Sequence, residues 1–139
     1  MNEKNEEAKP LPQIGTRAEY KRTITEEDIS HFAEVSGDHN PVHLDAEYAA
    51  RTPFGGRIAH GILSAAFISA VLGNDLPGRG TIYLGQTLKF LAPVRIGDTI
   101  TASVEVTAVR EEKRIVTLRT DCTNQHGAVV LTGEAVMKC

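Results

Sequence analysis

Apolar and polar positions follow three successive regimes along the chain. Near the start, Ile29, Phe32 and Ala33 recur at spacings of three and four behind Thr25-Glu26-Glu27-Asp28. Thr25 is a helix N-cap, the acidic residues suit the positive end of the helix dipole, and Ser36-Gly37 supplies the stop. Asp45 caps a second, short helix over 46–51, and Thr52 to Arg57, with Gly55-Gly56, reads as a loop. From Gly61 to Leu72 the chain runs GILSAAFISAVL, apolar on every side but for two serines, with Gly73-Asn74 as its C-cap. A helix of that kind must be buried all round, and the run is too short to span a bilayer. Beyond Pro77-Gly78 the period becomes two: strands are expected at 82–91, 99–110, 114–123 and 128–137, with an early one at 18–23 adding to an edge. The short links, Glu111-Glu112-Lys113 and Gln125-His126-Gly127, make these strands antiparallel.

The expected architecture is α+β: an antiparallel sheet of about five strands wrapped around a long buried central helix. A single sheet covers only part of such a helix, so a second copy of the chain is expected to cover the rest, giving a homodimer. Residues 1–13, charged and carrying Pro10 and Pro12, read as a flexible tail, and 14–139 as a single domain. The whole chain has 139 residues, which suits one core.

Composition removes several classes of function. A formal charge of -3 provides no field for nucleic acid or anionic membrane. The first residues, MNEKNEEAKP, lack the basic start and apolar run of a secretory signal, so a cytoplasmic protein is expected. Cys122 and Cys139 have no ligand spacing and are expected to be reduced thiols, with no metal bound.

Candidate chemistry concentrates in two places. The first is Ser36-Gly37-Asp38-His39-Asn40-Pro41-Val42-His43, between two helices. Pro41 keeps one regular helix from spacing Asp38 and His43, so their meeting requires a shaped loop, with Asn40 holding it. A carboxylate and an imidazole facing one water form an acid–base pair. The plainer alternative has Asp38 satisfying turn amides and His43 packed as a hydrogen-bonded histidine. His39 is expected to face solvent, and Asp98 to serve its Gly97-Asp98 turn. The second place is Ile58-Ala59-His60-Gly61 at the mouth of the apolar helix. Free amides there carry partial positive charge and can hold a developing oxyanion, while His60 reads as structural. Ser64 can bond back to its own helix, and Ser69 is a substrate or water contact rather than a nucleophile.

Phe32-x-x-x-Ser36-Gly37-Asp38-x-Asn40-Pro41-Val42-His43, followed by Ala49, resembles the signature of the MaoC-like (R)-specific enoyl-CoA hydratases. The similarity continues through Ala59-His60-Gly61, Ile82 to Gln86, Phe90, Pro93-Val94 and Gly97-Asp98. It implies a hot-dog fold, a sheet wrapped on a long helix and paired into a dimer. It implies that Asp38 and His43 form the catalytic pair, that Gly61 offers its amide to a thioester oxygen, and that Ser69 assists. The implied reaction is reversible hydration of a trans-2-enoyl-CoA thioester to the (R)-3-hydroxyacyl thioester, in fatty acid metabolism or polyhydroxyalkanoate precursor supply, without a cofactor. Two rivals share the substrate class. A hot-dog acyl-CoA thioesterase commonly places an acidic residue on the central helix, and Gly61 to Leu72 has none. A non-catalytic acyl-CoA-binding regulator would need a basic effector segment, which this chain lacks.

Overall fold

In the computed structural model, which describes residues 9–139, six strands form one antiparallel sheet against which a central helix packs. The elements in order are β1 (Arg17–Thr23), α1 (Glu26–Ser36), α2 (Pro41–Leu44), α3 (Ala46–Ala50), α4 (Gly61–Asn74), β2 (Ile82–Gln86), β3 (Lys89–Phe90), β4 (Thr99–Arg110), β5 (Ile115–Thr123) and β6 (Val129–Lys138). The sheet order is β1-β4-β5-β6-β2, with β3 also paired to β6. The first eight residues of the expected tail lie outside the described part. From Lys9 onward the chain lies on the body: Lys9 Nζ donates to the Arg79 carbonyl, the Lys9 carbonyl accepts from Arg114, and Leu11 packs against the core.

Helix α1 starts as the sequence predicts. Thr25 Oγ1 accepts from Asp28 N at 3.1 Å and Asp28 Oδ2 accepts from Thr25 N at 3.1 Å, a reciprocal box. Gly37 ends it at φ +79, a left-handed conformation in which a glycine is not strained. Asp98 serves its turn, accepting from Arg95 N at 2.9 Å.

The alternation in β4 becomes packing: Ile100, Ala102, Val104 and Val106 are buried beneath α4, beside Val116, Leu118 and Cys122 of β5. α4 offers Leu63, Phe67, Ile68, Val71 and Leu72 to that core and runs through Gly73 to Asn74, with Asp75 as its C-cap, two residues beyond the predicted end. Gly73 alone does not stop a helix whose following amide still finds Val71 O. Its opposite stripe, Ile62, Ala66, Ser69 and Gly73, stays exposed in the single chain. The uncovered stripe is where the sequence expects a second copy.

The sheet has six strands rather than about five because the predicted strand 82–91 is broken at Thr87-Leu88. The break lies against β6. A Cβ on Gly133 would fall 1.8 Å from the Thr87 carbonyl oxygen, so the chain crosses there on bare backbone, and Thr87 Oγ1 accepts from Glu134 N at 3.0 Å. Gln86 then turns its amide onto the buried Thr120 hydroxyl at 2.9 Å. Gly133→Ala is expected to cost about 3 kcal/mol, the upper end for overpacking, because backbone rather than a mobile side chain must move. Urea denaturation at equilibrium measures it; an unchanged midpoint would show that the crossing relaxes freely.

Candidate active site

The loop after α1 folds on its own side chains. Ser36 Oγ accepts from Asp38 N at 3.1 Å, Asp38 Oδ1 accepts from Asn40 N at 3.2 Å, and Asn40 Oδ1 accepts from Val42 N at 3.2 Å. Pro41 then takes the first position of α2, where its missing N–H costs nothing. Asn40 therefore holds the loop as expected, acting as the cap of α2. Asp38 fills its turn-capping role with one carboxylate oxygen only.

α2 turns His43 inward. The residue is 8% exposed, and Nδ1 donates to the Ile58 carbonyl at 2.8 Å. The segment before α4 grips the same turn: Ile58 N donates to Val42 O at 3.2 Å and Arg57 Nε to His43 O at 2.7 Å. Ala59 N donates to Val94 O at 2.7 Å, anchoring that segment to the loop before β4. With Nδ1 committed to a carbonyl, the neutral imidazole carries its free lone pair on Nε2.

A third group joins them. His60, the N-cap of α4, is 2% exposed, and its Nε2 donates to the Asp38 carbonyl at 3.0 Å. The ring stacks on His43 with centroids 3.9 Å apart and planes at 27°, and its other neighbour is Phe32 at 4.9 Å. Burial pushes the His60 pKa down, keeping the imidazole neutral, and its Nδ1 is buried without a hydrogen-bond partner. Asp38, His43 and His60 each present one atom within 4.8 Å of the others. Three such groups resemble a ligand set, but near-parallel stacked rings direct their in-plane lone pairs alongside one another rather than toward one tetrahedral centre. The arrangement suits proton handling better than metal binding. His60, read from sequence as structural, is thus structural and at the site together. Its partner Asp38 lies far away in sequence, so local spacing carried no signal of the contact.

Beside His43 opens a cleft of about 430 Å³ lined by Gly61, Ile62, Ser64, Phe90, Leu91 and Val130 among others. The Gly61 N–H, first of α4, has no acceptor within the described chain, and no side chain caps this end. A Cβ on Gly61 would lie 2.6 Å from the Phe90 ring, so only a glycine keeps the approach to that amide open without displacing the ring. Ser64 differs from expectation. Its buried Oγ has no hydrogen-bond partner, whereas a bond back into the helix was expected. Ser69 is not brought to this group within one chain: it lies on the exposed stripe of α4, two helical turns beyond Gly61, and does not line the cleft. His39 faces solvent as expected. A larger cleft of about 520 Å³, between α1, β1 and the far half of α4, contains neither Asp38 nor His43. Phe32 lines this larger cleft and His43 the smaller one, and the His60 ring lies against both. Among the described residues, no helix is long and apolar enough to cross a membrane.

Known proteins share this arrangement of sequence and fold. The family model of the MaoC like domain matches residues 7–126. The (R)-specific enoyl-CoA hydratase of Rhodospirillum rubrum is 57% identical over 123 residues, covering 88% of this chain and 85% of that protein. Among solved structures, the (R)-hydratase of Aeromonas caviae involved in PHA biosynthesis superposes with a TM-score of 0.89 at 48% identity, covering 91% of this chain and 96% of that one. An R-hydratase from Pseudomonas aeruginosa in unliganded form gives 0.88 at 51% identity, covering 92% and 82%. The hot-dog architecture agrees with these relatives, and the chain belongs to the MaoC-like family.

Proposed function

We propose that the protein is an (R)-specific enoyl-CoA hydratase, interconverting trans-2-enoyl-CoA and (R)-3-hydroxyacyl-CoA by acid–base catalysis. The observation that carries this reading is the convergence of Asp38 and His43 beside the unpaired Gly61 amide at the mouth of an apolar cleft. Its likeness to the R. rubrum hydratase supports the substrate class.

The chemistry follows from the donors and acceptors. Ionised Asp38 and the Nε2 lone pair of neutral His43 are both acceptors, so a water between them donates both its hydrogens and turns an oxygen lone pair toward the β carbon of the enoyl group. As the C–O bond forms, the water proton leaves for the pair. The α carbon receives a proton from the same pair, so one water is added in total. In between, negative charge gathers on the thioester oxygen, where the Gly61 N–H and the positive end of α4 stabilise it. Apolar walls such as Ile62, Phe90 and Leu91 suit the acyl chain. The proton balance needs no oxidant or reductant.

The working form we infer is a homodimer. Ile62 on the bare stripe of α4, Ile82 and Leu84 on the free edge strand, and Phe90 beside the cleft are all exposed in one chain. An apolar strand edge of this kind invites pairing, and a second copy would cover edge and helix together. Purified protein mixed with crotonyl-CoA is expected to consume the conjugated enoyl absorbance and yield the (R)-3-hydroxy product, while light scattering returns twice the chain mass. Release of free CoA thiol without loss of the enoyl group would move the assignment to a thioesterase. A monomer with full turnover would remove the dimer.

A further inference from the structure

We propose that His60 is a positioning residue that sets both members of the acid–base pair, joining Asp38 through a hydrogen bond to its backbone carbonyl and His43 through ring stacking. The proposal rests on the hydratase reading for what the pair does, but the tie itself is geometric. Asp38 stands on an exposed loop whose remaining hydrogen bonds are local, from Ser36, Asn40 and Val42. The His60 Nε2–H bond at 3.0 Å is the contact in this set that fastens Asp38 to a distant, buried element, the N-terminus of α4. The same helix terminus supplies the Gly61 amide. One side chain therefore registers the carboxylate loop against the oxyanion site and leans its ring on His43 at 3.9 Å.

The tie requires one tautomer and one charge. A proton must sit on Nε2 to reach the Asp38 carbonyl, and the ring must remain neutral so that it does not repel a proton arriving on the stacked His43. The groups facing His60 are Phe32 from α1, Asp38 and His39 from the loop, and His43 from α2. Burial opposes protonation most strongly; His43 and His39 also oppose it, while Asp38 favours it less than burial disfavours it. The orphaned Nδ1 agrees with this, because no acceptor waits there for a second proton.

Two substitutions separate the tie from mere packing. His60→Phe keeps a ring against His43 and Phe32 and removes only the donor. His60→Gln loses the ring and keeps an N–H donor near the position of Nε2. A displaced catalytic group costs on the order of 10²-fold, so His60→Phe is expected to lower kcat by about 10- to 100-fold with KM for crotonyl-CoA nearly unchanged. His60→Gln is expected to recover part of that loss. Wild-type kcat in a folded His60→Phe protein would overturn the proposal, as would losses in both variants that merely follow their melting temperatures.

Long-range ¹H–¹⁵N spectra of the wild-type imidazoles provide a readout independent of turnover and of variant folding. His60 is expected as the neutral Nε2–H tautomer at pH 7, and to remain so on mild acidification, because burial holds its pKa below the usual histidine value. A His60 that is already doubly protonated at pH 7, or carries its proton on Nδ1, would overturn the tie. Should wild-type protein leave crotonyl-CoA untouched, the hydratase reading falls, and these spectra still decide the role of His60.

Discussion

Asp38→Asn and His43→Gln are each expected to suppress hydration of crotonyl-CoA by about 10²- to 10⁴-fold while leaving the protein folded, because positioned acid–base groups contribute that much. Asn keeps the Oδ1 that accepts from Asn40 N at 3.2 Å, so the loop retains its turn. What it loses is the negative charge that orders and deprotonates the water. Gln at 43 puts only a non-basic amide near the Nε2 position, so nothing there can take up the proton, and it loses the Nδ1 donor to Ile58 O. The two losses are not expected to multiply. If one water lies between both groups, either change already destroys its placement, and the double variant falls by less than the product of the single factors. Purely structural roles predict otherwise: melting temperature would fall first, and turnover only in proportion to unfolded protein. Circular dichroism melts beside stopped-flow kinetics distinguish the cases. Near-native turnover by folded Asp38→Asn would end the mechanism proposed above.

Much of this site was legible because its signals are local. Thr25 and Asp28 sit three apart and close a box; Asn40-Pro41 states both a cap and the first helical position; the alternation of Thr99–Arg110 has a single phase that decides which face is buried. The parts that were not legible depend on contacts between distant segments. A helix apolar on every side carries no phase, so the sequence could place Ser69 on α4 without showing that it points away from the cleft lined by Ser64 and Gly61. The break in the strand 82–91 lies where Thr87 crosses closely over Gly133 of another strand, and nothing in Gln86-Thr87-Leu88 itself announces it. His60 shows the same limit at the site, since both Asp38 and His43, which define its surroundings, come from before the loop at 52–57. Residue chemistry and short spacing thus singled out Asp38 and His43 as candidates, whereas the contacts that bring them together needed the fold.

Gly61→Pro is expected to reduce kcat by about 10²- to 10³-fold, the usual cost of removing one preorganised oxyanion donor. The substitution suits the backbone unusually well. Gly61 is the first helical residue of α4, where proline is favoured and its N–H has no intrahelical acceptor. His60 before it sits at φ -60 and ψ 130, the extended region that a residue preceding proline prefers. Helix α4 therefore keeps its start while the amide hydrogen disappears. The new Cβ would press on the Phe90 ring at 2.6 Å, and Gly61→Ala, which adds the same Cβ but keeps the N–H, supplies the control for that crowding. Phe90 is half-exposed on a two-residue strand and has room to swing aside. Crowding of the acyl approach is expected to raise KM in both variants, whereas loss of the donor lowers kcat in the proline variant alone. Equal kcat in the two proteins would show that the thioester oxygen takes its stabilisation elsewhere, and the role assigned to the Gly61 amide would be withdrawn.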